Sequence, residues 1–183
     1  TLRLLPVTDD PLATMVTVDG EGEIGFQDYF VGRRHSVPVS KIRFAGAESA
    51  VAAPGVLDAI ASAEHVVVCP SNPIVSIGPL LSVAGVMGAL ADRRSQVVAV
   101  SPIVAGAALK GPADRMMAEL GHDPSVVGVA RLYSPWAATL VVDEADADRA
   151  AEVEAEGMRC VVAPTVMTGP AEAAALARVV LSA

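Results

Sequence analysis

Aromatic side chains make up only 3% of this 183-residue chain, and it has two cysteines, two lysines and no long uninterrupted apolar run. Each scarcity excludes something. An aliphatic chain dominated by Ala and Val favours an α/β core over an aromatic-rich β-sandwich. Cys69 and Cys160 sit at the ends of strand-like apolar runs and form no CxxC pair, so a disulfide framework is excluded. They read as two buried thiols of a protein kept in a reducing cytoplasm. Every apolar run is interrupted by Pro, Gly, Ser or charge, so none is long enough to cross a bilayer, the chain reads as soluble, and no membrane partner is expected. Basic residues are few and scattered and the formal charge is −8, so nucleic acid is not expected as a partner either. H-x-x-x-H, C-x-x-C and EF-hand spacings are absent, and with them any closed metal site in this segment. A Gly-rich dinucleotide fingerprint and a Walker loop are absent too, which disfavours hydride transfer by an ordinary Rossmann enzyme and P-loop phosphoryl transfer. The sequence opens at Thr1 with no initiator Met, charged n-region or cleavage site. No signal peptide is therefore expected, and the chain is expected to be part of a longer one.

What is present is a regular alternation. From Ala53 onward, helices over 54–63, 79–93, 112–120, 145–156 and 170–181 and a helical turn over 125–132 alternate with strands over 66–69, 96–100, 139–142 and 159–162. Helices of this length between short β-branched runs predict a Rossmann-like three-layer α/β sandwich with a mostly parallel sheet. Residues 1–50 differ in texture. Strands over 13–18 and 41–45 flank the turn Asp19-Gly20-Glu21-Gly22, which predicts an N-terminal β-hairpin-like excursion. Its exposed edges would suit a homodimer interface. The length fits a single domain, 1–183, with the parallel core in 53–183.

The most informative stretch is 66–81, VVVCPSNPIVSIGPLL. An apolar strand, expected to be buried on both faces, stops at a proline-clamped loop and restarts as an apolar helix. Pro70 and Pro73 restrict the residues around them, so Ser71 and Asn72 are held in one loop shape. Pro79 fits the first position of the following helix, whose free amides, with the Ser76 hydroxyl, would face an anion. A second loop has the same construction: Ser101-Pro102-Ile103 ends one strand, and Lys110-Gly111-Pro112 opens the next helix. Both loops are expected at the carboxyl edge of the sheet, where ligands of open parallel sheets bind. Lys110 would neutralise a phosphate as a point charge, or be a solvated lysine ahead of a turn. Ser71 and Ser76 lack the His and acidic partners of a nucleophile elbow and read as hydrogen-bond donors. Asp9 and Asp10 are the only candidates for a Mg²⁺ site, and turn or cap use of Asp is the commoner role. The acidic run 143–148 reads as a solvated helix cap. His35, His65 and His122 carry no pattern that points to chemistry. From residues alone the chain is an α/β binder of phosphate esters.

Several motifs in order carry a resemblance further. Leu5-Pro6-Val7-Thr8-Asp9-Asp10, Phe26-Gln27-Asp28-Tyr29-Phe30-Val31, the 70–79 loop, Val100-Ser101-Pro102-Ile103, Leu109-Lys110-Gly111-Pro112, Gly128-Val129-Ala130 with Tyr133, and Thr165-Val166-Met167 stand in this sequence. Together they resemble the 2-phospho-L-lactate transferase family of coenzyme F(420) biosynthesis, in its actinobacterial branch. The resemblance covers the second half of the family's usual length. It implies transfer of a phosphoenolpyruvyl or 2-phospholactyl group from a guanylylated donor to the ribitol hydroxyl of the deazaflavin alcohol Fo, with release of GMP and with Mg²⁺ as electrostatic partner. Ser71, Asn72, Pro73, Ser76, Ile77 and Gly78 would then bind the donor's phosphates or nucleotide, and Ser101, Lys110 and Gly111 would form the other wall. The metal ligands and catalytic residues would lie in the family's first half. A non-catalytic nucleotide-sugar-binding regulator of related fold is the alternative.

Overall fold

The computed structural model describes residues 2–183. In β1 (Ala13–Val18) Val16 and Val18 point inward, two residues apart as a pleated strand requires. At the turn that follows, Gly20 and Gly22 both take φ near +80°, the left-handed region that favours glycine. The chain returns as β2 (Gly22–Gly25), and β3 (Val39–Ala45) pairs with the other edge of β1, giving an antiparallel sheet of order β2-β1-β3. The expected hairpin is there, enlarged to three strands. Between β2 and β3, Asp28–Gly32 winds as a wide turn in which the Arg33 amide reaches the Asp28 carbonyl at 2.9 Å. This turn buries Tyr29 against Val16, Val18 and Val39.

The remainder alternates as expected. In order come α1 (Val56–Ser62), β4 (Val66–Val68), α2 (Gly78–Ser82), α3 (Val86–Asp92) and β5 (Val97–Val100). A tight hairpin, β6 (Ile103–Val104) and β7 (Ala107–Ala108), precedes α4 (Ala113–Glu119), α5 (Val126–Tyr133) and β8 (Thr139–Val142). The chain ends with α6 (Ala150–Ala155), β9 (Arg159–Val162) and α7 (Pro170–Ser182). The sheet is parallel throughout, of order β4-β5-β8-β9. All residues of β5 and β8 are buried, and their alternate side chains enter two different cores. Val97, Ala99, Leu140 and Val142 pack with α3, α5 and Trp136 on one face, while Val98, Val100 and Val141 meet Leu176 and Val180 of α7 on the other. Helices on both faces of a parallel sheet make the three-layer sandwich. The N-terminal sheet is tied to it through α4: Arg115 donates to the Tyr29 hydroxyl (2.7 Å) and the His35 carbonyl, and Glu119 accepts from the Val39 amide at 2.9 Å.

Four expectations need correction. β4 is an outer strand of this sheet and has one neighbour, so Val67 is 40% exposed and the strand is not buried on both faces. For the same reason Cys69 is exposed, and only Cys160 is partly buried. The helix expected over 79–93 breaks, because Val83 is extended and Gly85 takes φ +85°. That break lets Ala84 donate to the Ala50 carbonyl and pair beside Val51. The acidic run 143–148 is not simply solvated: Asp143 and Asp146 are buried, and Glu144–Arg149 winds as a tighter turn with non-helical geometry at Asp146. Among the described residues no helix is long and apolar enough to cross a membrane.

Candidate functional site

Parallel strands end on one side of their sheet, so the segments after β4, β5 and β9 converge. They enclose a cavity of about 650 Å³, with the segment between β2 and β3 as a further wall. Ser71, Asn72, Val75 and Ser76 form one side, Leu109–Ala113 another, and Thr165–Thr168 a third. Phe26 and Phe30, between β2 and β3, close it from the N-terminal side.

The first wall is rigid by local hydrogen bonding. Asn72 Oδ1 accepts from the amides of Ile74 (2.9 Å) and Val75 (3.2 Å), capping a wide turn, Pro73–Ile77, that runs directly into α2. The Asn72 carbonyl accepts from Ser76 and Ile77, and the Gly78 amide bonds to Pro73. The amides expected to receive an anion at Ser76, Ile77 and Gly78 are therefore engaged within the turn. Their reassignment follows from the helical path starting at Pro73 rather than at Pro79. Ile77 and Pro73 are buried, and Gly78 instead lets Phe44 approach, since a Cβ there would stand 2.9 Å from the ring. Of the nine residues expected at the site, Ser71, Asn72, Ser76, Ser101, Lys110 and Gly111 line the cavity and Pro73, Ile77 and Gly78 do not.

In the second wall Ser101 is 2% exposed, and its hydroxyl accepts from the Ile103 amide (3.1 Å) while donating to the Ile103 carbonyl (3.0 Å). It braces the loop and has no donor left for a ligand. Gly111 takes φ +72°, which only glycine adopts readily, and this lets the chain turn into α4 after Lys110. None of the ion pairs among the described residues involves Lys110.

The third wall was not among the sequence-derived site residues. Thr165 is fixed by Asp143, whose Oδ2 accepts from its amide at 2.8 Å and from its hydroxyl at 2.9 Å, while Oδ1 accepts from the Ala145 amide. Burial alone would push the Asp143 carboxyl up, but these hydrogen bonds outweigh it and hold it below the usual carboxylate range. The aromatic side was missed as well. The Phe26 and Phe30 rings lie 5.6 Å apart at 27°, and Phe30 stacks on His35 at 5.1 Å. A pair of phenylalanines four apart, in a chain with three, was the available signal.

The cavity's charge is as telling as its shape. Acidic residues outnumber basic ones 21 to 13 in the chain, yet no carboxylate lines the cavity and Lys110 is its one charged group among the described residues. A surface of this kind suits an anion with a planar ring. It does not suit a divalent cation. Among the described residues no three His, Cys, Asp or Glu side chains cluster. Asp9 is exposed, and Asp10 accepts from the Val51 amide at 2.9 Å, so the two Mg²⁺ candidates lie outside the cavity and one is a loop brace. The residues described here do not fit a Mg²⁺ site.

Known proteins converge on the same region of sequence space. A protein called phosphoenolpyruvate transferase from Streptomyces griseus is 45% identical over 185 residues, covering 97% of this chain and 57% of that protein. One of the same name from Streptomyces coelicolor is 42% identical over 189 residues, covering 99% and 58%. Another, from Mycolicibacterium smegmatis, is 36% identical over 181 residues, covering 96% and 55%. The chain thus spans a little over half the length of the curated relatives it matches. In fold it is similar to the crystal structure of a UPF0052-family protein from Bacillus halodurans, with TM-score 0.60 and 12% identity over 96% of this chain and 60% of that one. The model of the family described as 2-phospho-L-lactate transferase CofD matches residues 1–169, which take in all three loop walls and the aromatic pair, and the chain belongs to that family.

Proposed function

We propose that this chain forms the donor- and acceptor-binding side of a transferase of coenzyme F(420) biosynthesis. In this reading the terminal ribitol oxygen of Fo attacks the phosphorus that bears the enolpyruvyl group of a guanylylated donor. A P–O bond forms, the P–O bond to the guanosine phosphate breaks, GMP leaves with the bonding pair, and the attacking hydroxyl loses its proton. The observation that carries the reading is the carboxylate-free cavity holding Lys110 on one wall and the Phe26–Phe30 pair on another. Chemistry of this type needs alignment and charge stabilisation and no covalent nucleophile. Lys110 would offset charge on the donor's diphosphate, and the hydroxyls of Ser71 and Ser76 would donate to its oxygens. The aromatic pair would stack on the planar deazaflavin. The volume of about 650 Å³ is in the range of small-molecule sites. The relatives' shared name supports a phosphoenolpyruvyl over a phospholactyl donor. Mg²⁺ belongs to the proposal only with ligands from the part of the family's length that this chain does not span.

The two walls make separable demands. Lys110→Ala is expected to raise the KM for the guanylylated donor about tenfold, the worth of one charge-assisted contact. Phe30→Ala is expected to raise the KM for Fo by a similar factor. If each variant impaired the other substrate instead, the assignment of walls would be wrong.

A further inference from the structure

The acidic run after β8 has the composition of a solvated cap, but only part of it is solvated. Glu144 and Asp148 are exposed, whereas Asp143 and Asp146 are 9% and 5% exposed. Asp143 Oδ1 caps the run itself by accepting from the Ala145 amide at 3.1 Å, but each carboxylate also reaches a partner outside the run. Asp143 Oδ2 holds Thr165 by amide and hydroxyl at 2.8 and 2.9 Å. Asp146 Oδ2 accepts from the Ala105 amide at 2.9 Å. Neither carboxylate lines the cavity, and each partner belongs to a segment that does.

Ala105 is the less ordinary of the two partners. It takes φ +51° at the tip of the β6–β7 hairpin, followed by Gly106 at φ +75°. An alanine adopts that conformation rarely, so an external bond to its amide decides whether the turn keeps its shape. The hairpin is also short, two residues in each strand, and leads within a few residues to Leu109, Lys110 and Gly111 of the cavity wall. Its own ladder gives little rigidity. A carboxylate buried on a different element gives more, because its bond to the Ala105 amide is charge-assisted and anchors the exposed hairpin tip to a fixed group.

We infer that Asp143 and Asp146 are positioning residues, a two-pronged clamp just after β8 that fixes the 165–168 wall and the β6–β7 hairpin leading to Lys110 relative to each other. The clamp rests on the proposed donor site for its consequence in catalysis and on geometry alone for its effect on the loops. Its role is to hold the donor-binding walls at their working separation, so its loss falls on donor binding more than on turnover of bound donor.

The test uses the native full-length protein with Asp146→Ala, Asp146→Asn and Asp143→Ala, read by amide hydrogen exchange and by steady-state kinetics with guanylylated phosphoenolpyruvate and Fo. Asp146→Ala is expected to speed exchange at Ala105 by about tenfold or more while Thr165 stays protected, and Asp143→Ala to do the converse. Asp146→Ala should raise the donor KM about tenfold with kcat within about twofold of wild type. Asp146→Asn keeps an oxygen that can accept from Ala105 and should restore both readouts. Unchanged exchange at Ala105 in Asp146→Ala overturns the clamp, as does a fall in kcat at constant KM. Asp146→Asn as impaired as Asp146→Ala also overturns it. Absence of turnover by the wild-type protein would sink the transferase reading instead, and leaves exchange at Ala105 and Thr165 to decide the clamp.

Discussion

Gly128→Ala has a sign that depends on one close approach. Gly128 sits in the first turn of α5, where a Cβ would stand 1.8 Å from the Asp123 carbonyl oxygen and 2.8 Å from its carbon. On helix propensity alone, Gly to Ala in a helix stabilises by about 1 kcal/mol. Here the added methyl lies far inside the 3.0 Å that Cβ atoms essentially never cross, and the atoms it meets are backbone. Relief requires moving the 123–125 turn or the start of α5. Moving the turn disturbs the Ser125 cap, whose hydroxyl accepts from the Val127 and Gly128 amides, a loss worth roughly 1 kcal/mol. Moving the helix disturbs the fully buried Val126, Val129 and Ala130 in the larger core, and overpacking of this kind costs about 1–3 kcal/mol. With both disturbed, the costs of about 2–4 kcal/mol less the propensity gain leave a net loss of about 1–3 kcal/mol, which lowers Tm by roughly 2–12 °C in a chain of this size. Paired urea and thermal melts of Gly128→Ala and wild type measure it. A variant as stable as wild type, or more so, would refute the close approach and with it the packing of α5.

Two further outcomes follow from the titrating groups. Asp143 has a depressed carboxyl in the folded state, so its contribution to stability is fully present above the ordinary carboxylate range and is lost as pH falls through the folded value. Asp143→Asn should therefore flatten the acid limb of the stability curve below about pH 4 while lowering stability at neutral pH. Cys69 is exposed, whereas burial pushes the Cys160 thiol up, with Glu154 adding to it. Maleimide at neutral pH should label Cys69 first, and mass mapping that finds Cys160 labelled first would contradict the edge position of β4.

The parallel core was legible because its signals are local and periodic. Val97–Val100 and Thr139–Val142 are short β-branched runs between helices, and such runs have few other uses. Whether a strand is central or outer depends on its neighbours, so Val67 and Cys69 were misjudged as interior. The break at Val83–Gly85 was hidden for a similar reason, since the pairing of Ala84 with residues 50–51 is long-range. Strand-end position brought Ser71, Asn72, Ser76, Ser101, Lys110 and Gly111 to the cavity that the structure shows. Ile77 and Gly78 lie off the cavity because the Asn72 side chain starts the helical path at Pro73, ahead of Pro79. Phe26, Phe30 and Thr165 reach the cavity from distant segments, and Asp143 and Asp146 act on it through backbone amides. Beyond the four-residue spacing of Phe26 and Phe30, spacing along the chain carries no record of these long-range contacts.

Turnover by the native full-length protein tests the central claim most directly. Incubated with Fo, guanylylated phosphoenolpyruvate and Mg²⁺, it is expected to release GMP in step with a phosphorylated deazaflavin. Tight binding of a UDP-sugar with no GMP released would contradict the account and favour a non-catalytic nucleotide-sugar binder built on the same fold.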